Sequence, residues 1–260
     1  MKVESMIVRH SLFFLLLGMA GAVSSNDEGG YWKDLGGQLA AASSKTFKVG
    51  VSEKGGDTEY TIFYPKGSYD PGSMKRYGLP LGGVSEKIDL GQSFECLTLG
   101  YDVKFSTGFD FVRGGKLPGL AGGTANTGGL IPNGYDGFSM RFLWLGQGGG
   151  AVYAYLPTSK VWGDSLGSNN WNYQAGRWHR IFQKVELNEP GRSNGKVLVY
   201  FDGQLVYLKT NVLFRKTIDL KIDSFLLSSF FGGNTEDYSA KNDSYVHIRR
   251  VIVSNLQCLG

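Results

Sequence analysis

The chain has 260 residues, 42% of them hydrophobic and 19% charged, with a formal net charge of +4. That length holds one large domain or two small ones, and the composition excludes a disordered chain. With no dense Lys/Arg tract and no nucleic-acid-binding motif, the small positive excess excludes a nucleic-acid partner but suits a polyanionic ligand.

The N-terminus pairs Lys2 and Arg9 with the apolar run Ser11–Ala20, followed by small residues through Ser25. Charge, grease and small residues in that order form a secretory signal peptide over 1–25. The run falls short of the roughly 20 apolar residues of a membrane span, so a retained anchor is the lesser alternative. Losing Lys2, Glu4 and Arg9 removes one positive charge and leaves the mature chain near +3. Once the leader is cleaved, a secreted, extracellular monomer with no membrane association is expected. Residues 26–44 are rich in Gly, Ala and Ser and read as a flexible arm before a single domain over 45–260.

Over the whole chain 39 glycines stand against 7 prolines, and 13% of residues are aromatic. Many tight turns and rings suited to pleated surfaces point to an all-β sandwich. Alternation predicts strands at Thr58–Tyr64, Phe94–Phe105, Gly137–Leu145, Ala151–Leu156, Trp178–Leu187, Lys196–Phe201, Lys221–Phe230 and Tyr245–Ser254. A further segment, Gln204–Leu208, pairs with Lys196–Phe201 across Asp202-Gly203, a strong hairpin signal. Gly108–Asn133 and Pro157–Gly176 remain as long connections, and loops of that length are usually functional or mobile.

The chemistry concentrates between residues 114 and 155. Gly114-Gly115-Lys116-Leu117-Pro118-Gly119 reads as a sharp turn, stiffened by proline, that fixes a lysine. In Gly137–Leu145 the period of two sends Phe138, Met140, Phe142 and Trp144 to the core. Ser139 and Arg141 then share the other face, about 7 Å apart. The next strand sends Val152, Ala154 and Leu156 inward and Tyr153 and Tyr155 outward. Each of these residues alone is ordinary sheet surface. Together on one hairpin they make a binding cleft.

Gly-Gly-Lys-Leu-Pro-Gly, then Ser-x-Arg, then Tyr-x-Tyr resembles the family-14 polysaccharide lyases, which are alginate lyases. The resemblance implies a β-jelly roll of two antiparallel sheets whose concave sheet forms the substrate cleft. It also implies that Lys116, Ser139, Arg141, Tyr153 and Tyr155 match the family's functional positions, and no departure occurs at those five. The implied partner is alginate, an anionic polysaccharide, cleaved endolytically by β-elimination with a preference for mannuronate-rich blocks. Two alternatives are a lyase for glucuronan, which has the same fold and mechanism, and a non-catalytic secreted lectin for acidic polysaccharides.

Elimination on a uronate requires the carboxylate to be neutralised, the C5 proton removed and the leaving oxygen protonated. Arg141 suits a bidentate carboxylate contact, and Lys116 adds a second cation. Either tyrosine serves as base if flanking cations lower its phenol, with the same or the other one as acid. Lys116 becomes the base if it is desolvated enough, and Ser139 bonds the sugar or orients a neighbour.

Elsewhere the expectations are structural. His179 and His247 lie in strands without catalytic spacing and read as satisfied structural groups. No His/Cys/carboxylate cluster suggests a metal, and no cofactor is expected. Trp162, Trp171 and Trp178 are candidates to line a sugar site, although Trp178 reads more readily as core. Export permits a disulfide, and first and last strands often neighbour one another in sandwiches, so a Cys96–Cys258 bridge competes evenly with two free thiols. Asn242-Asp243-Ser244 is an N-glycosylation pattern at Asn242.

Overall fold

The structure is a computed structural model that describes residues 30–37, 39, 49–54 and 56–258. The expected leader, 1–25, lies outside the described residues, as does much of the expected arm. Where the arm is described it is partly ordered into the fold. Trp32–Asp34 forms a short strand, β1, paired with the last strand, and Leu35 is fully buried.

Two antiparallel sheets make up the fold, as expected. The eight-stranded sheet contains β2 (Val49–Lys54), β3 (Asp57–Tyr64), β5 (Cys96–Phe105), β10 (Trp178–Glu186), β11 (Gly195–Phe201), β12 (Gln204–Val212) and β14 (Ser244–Ser254). Its order is β12-β11-β10-β5-β14-β3-β2, with β1 also on β14. The six-stranded sheet has the order β4-β13-β6-β7-β8-β9. Its strands are β4 (Val84–Phe94), β6 (Gly114–Gly123), β7 (Gly137–Leu145), β8 (Gly150–Tyr155), β9 (Asp164–Leu166) and β13 (Ile222–Phe231). The short helix α1 (Pro71–Tyr77) is capped by Asp70, whose carboxylate accepts from the Ser73 amide at 2.8 Å.

Phe138, Met140, Phe142 and Trp144 of β7 lie in the core between the sheets, each fully buried. Tyr64 and Phe105 reach Trp144 edge-on from the opposite sheet at 6.1 and 5.5 Å. The bridge between Cys96 and Cys258 is present, with Cα atoms 5.9 Å apart, and ties the start of β5 to the turn after β14.

The main difference from expectation is β6. The sequence read as a glycine-rich loop is a central strand hydrogen-bonded to β7 on one side and β13 on the other. Its glycines are required by close approach. A Cβ at Gly115 would lie 2.1 Å from the Trp144 ring, and one at Gly119 would lie 2.1 Å from the Met140 carbonyl oxygen. Pro118 falls where the β6–β7 register shifts between Leu117 and Gly119, the kind of bulge at which a strand tolerates proline. Two polar side chains reach across the core to hold this irregular stretch. The Tyr101 hydroxyl donates to the Pro118 carbonyl at 3.1 Å, and Gln183 accepts from the Leu120 amide at 3.3 Å. Strand β9 likewise falls inside the segment expected as the Pro157–Gly176 loop.

Candidate functional site

Cα partners in an antiparallel ladder share a face of the sheet. Lys116 pairs with Leu143, Arg141 with Tyr153, and Ser139 with Tyr155. Leu143, Arg141 and Ser139 alternate along β7, so all five expected residues fall on the outer face of the six-stranded sheet. Lys116 gets there from strand β6, two residues before the proline of its bulge.

Tyr153 lies at the centre. The Lys116 ammonium is 4.7 Å from its ring centroid and the Arg141 guanidinium 5.6 Å. The hydroxyls of Tyr153 and Tyr155 are 3.5 Å apart, and the rings meet edge-on at 5.3 Å. The Gly129 amide donates to the Tyr155 hydroxyl at 3.0 Å, and the backbone of Gly163 favours the ionised form of Tyr153. Lys116 donates to the Gly232 carbonyl at 3.2 Å. Ser139 is fully buried and donates to the Asn126 carbonyl at 2.6 Å, so its hydroxyl fastens the β6–β7 connection above the sheet.

The electrostatics are unbalanced. Arg141 is only 4% exposed, its Nε is buried without a partner, and no ion pair joins it to a carboxylate among the described residues. Burial pulls it down to about 10, which leaves it cationic at neutral pH. Burial, and then the neighbouring Arg141 charge, pull Lys116 from 10.5 down to about 7, while Asp70 pushes it back up. Tyr153 moves the other way. Burial comes first, the Tyr155 contact adds to it, and together they outweigh the Arg141 charge and raise its phenol above 10.0. A lysine that loses its proton readily thus sits over a tyrosine that keeps its own.

Sequence reasoning did not single out Asp70 or the backbones of Gly129 and Gly163. Asp70-Pro71-Gly72-Ser73 does carry a helix-start signal, a capping acid followed by proline. Backbone groups leave no mark in a sequence. The other residues are placed as follows. His179 accepts from the Gln174 amide at 2.9 Å, lies 2.8 Å from Asp202 and stacks on Phe201, a structural group as expected. His247 sits 2.8 Å from Glu59 on the eight-stranded sheet. Trp171 is core, and Trp178 lies on the eight-stranded sheet beneath Arg249, so of the three tryptophans only Trp162 is near the site. Asn242 is exposed.

A jelly roll with a lysine, an unpaired arginine and two tyrosines on one sheet face has the makings of a lyase for an acidic polymer. The family model described as Polysaccharide lyase 14 matches residues 52–251. The chain belongs to polysaccharide lyase family 14. It is similar to the crystal structure of the marine PL-14 alginate lyase from Aplysia kurodai. That match has 29% identity and a TM-score of 0.69, and covers 79% of this chain and 86% of that one. An alginate lyase from Chlorella virus shares the fold at 22% identity and a TM-score of 0.69, covering 80% and 89%. An endo-beta-1,4-glucuronan lyase from the fungus Trichoderma reesei shares it at 15% identity and 0.54, covering 86% and 89%. No match is found among curated proteins.

Proposed function

We propose that the protein is a secreted, monomeric, endo-acting alginate lyase that cleaves mannuronate-rich chains by β-elimination. The observation that carries this reading is Arg141, a buried cation with no carboxylate of its own, set beside Lys116 and Tyr153. A buried charge without a partner is costly, and a uronate carboxylate supplies the partner. The alginate lyase from Aplysia kurodai supports alginate as the polymer, the family resemblance supports mannuronate, and the N-terminal leader pattern supports export.

In this reading Arg141 takes the C5 carboxylate, which acidifies the C5 proton and stabilises the enolate-like charge that follows its removal. Lys116, neutral in appreciable fraction at pH 7, accepts that proton. The electron pair of the C5–H bond forms the C4–C5 double bond as the C4–O bond breaks. Tyr153, which holds its proton tightly, delivers it to the departing oxygen and recovers one from the Lys116 ammonium. Tyr155, itself held by the Gly129 amide, keeps Tyr153 in place, and Ser139 holds the connection that carries Gly129.

The test is ultraviolet absorbance during incubation with poly-mannuronate, poly-guluronate and glucuronan in parallel. The C4–C5 double bond conjugated to the carboxylate absorbs, so the expected result is the fastest rise on poly-mannuronate, with a rapid early fall in viscosity. A rise on glucuronan alone moves the substrate to that polymer. Binding without any rise replaces the enzyme with a lectin.

A further inference from the structure

Trp162 is 51% exposed, and its chain neighbour Val161 is 67% exposed. One edge of the indole lies against Gly129, where a Cβ would come within 3.0 Å of Cζ3. Gly129 is in turn the residue whose amide donates to the Tyr155 hydroxyl, and the next residue, Leu130, is 70% exposed. On the other side of Trp162 in the chain, Gly163 packs so closely on the Tyr155 ring that a Cβ would lie 2.7 Å from it. A single glycine on each side therefore separates the indole from the tyrosine pair. Gly129 has φ +89°, a conformation that side-chain-bearing residues rarely adopt, so the indole rests on bare backbone with about half of the residue in water.

We propose that Trp162 is a stacking platform for the sugar next to the one being cleaved, on the Tyr155 side of the cleft. The proposal rests on the polyuronate lyase reading above. A pyranose presents an apolar C–H face and a rim of hydroxyls and carboxylate. The first fits an indole, and the second fits the Arg141 and Lys116 field beside it. The other half-exposed surface here, Val161 and Leu130, is also apolar, which suits a chain lying across it more than a bound ion. Contact with a non-reacting sugar is equal in ground and transition states, so it acts on KM and leaves kcat alone.

The variants are Trp162→Ala and Trp162→Phe, assayed on polymer by absorbance, with melting curves to confirm folding. Trp162→Ala is expected to raise KM about tenfold with kcat within about twofold, and Trp162→Phe to recover most of the loss. Unchanged KM in Trp162→Ala overturns the platform. So does a fall in kcat at constant KM, because that is the signature of a clamp on Gly129 and Tyr155. A mannuronate tetrasaccharide titrated into the Lys116→Ala protein gives a second reading without turnover. It is expected to quench tryptophan fluorescence, and the quench is expected to vanish in Lys116→Ala/Trp162→Phe. Persistence of the quench also overturns the proposal. If the wild-type protein gives no absorbance rise on any polyuronate, the reaction assignment fails, and the titration still decides the platform by itself.

Discussion

Replacing Lys116 by methionine is expected to stabilise the protein while abolishing turnover. Moving a lysine from 10.5 to about 7 on folding has a cost. At about 1.4 kcal/mol per tenfold in proton affinity the ceiling is about 5 kcal/mol. Lys116 is only partly buried, so water relieves much of that and roughly 2–3 kcal/mol is the realistic share. Methionine has a similar length and no charge. It forfeits the bond to Gly232 and the contact with Tyr153, together worth about 1 kcal/mol. The net gain is about 1–2 kcal/mol, or roughly 3–6 °C in melting temperature for a chain of this size. The gain depends on pH in a defined direction. Between about 7 and 10.5 the unfolded chain binds the lysine proton and the folded chain does not, so wild-type stability rises with pH across that window. Urea denaturation of both proteins at about pH 6, 8 and 10 is the assay, and the advantage of the variant is largest at the lowest pH and nearly gone at the highest. A variant that is less stable than wild type at about pH 6, or a difference that does not change with pH, refutes the claim that Lys116 is held against its charge.

Arg141→Lys keeps a cation but loses the planar fork, and kcat/KM on poly-mannuronate is expected to fall about 100-fold or more; a loss within threefold or so removes Arg141 from the carboxylate site. Tyr153→Phe is expected to lower kcat by at least about 100-fold and Tyr155→Phe by much less, and full rate in both variants ends the phenol mechanism. Asp70→Asn keeps the helix cap but removes the charge that raises Lys116, so the acidic limb of the kcat/KM profile is expected to move to lower pH. An unmoved limb means that the titrating base lies elsewhere. Cys96→Ser/Cys258→Ser opens a connection with a sequence separation of 162 residues, and a loss of about 2–5 kcal/mol is expected, seen as a fall of about 10 °C in melting temperature.

The hairpin of β7 and β8 was legible because strict alternation decided which side chains face out, and the register then joined Arg141 to Tyr153 and Ser139 to Tyr155. Strand β6 was not legible, because the features that make it a strand here are the ones that usually end strands. Gly115 and Gly119 are dictated by the Trp144 ring and the Met140 carbonyl, neighbours that exist only after folding, and Pro118 is tolerated only at a bulge. That the candidate residues share one face followed from the motifs for the β7–β8 hairpin, but the placement of Lys116 on a strand did not. The relative proton affinities of Lys116 and Tyr153 were equally out of reach, since burial sets both and a sequence does not give burial at a bulge. The Cys96–Cys258 pairing likewise depended on a Cα separation that only the sheet order supplies.

Strand β14, although late in the chain, lies inside its sheet, between β5 and β3, and also carries β1. Until residues 244–254 have left the ribosome, β12-β11-β10-β5 and β3-β2 have no strand to join them. Completion of this sheet therefore requires a segment that is made after all of its other strands. A chain that stops before β14 keeps the β5 and β3 edges open and is a substrate for proteases and for edge-to-edge aggregation.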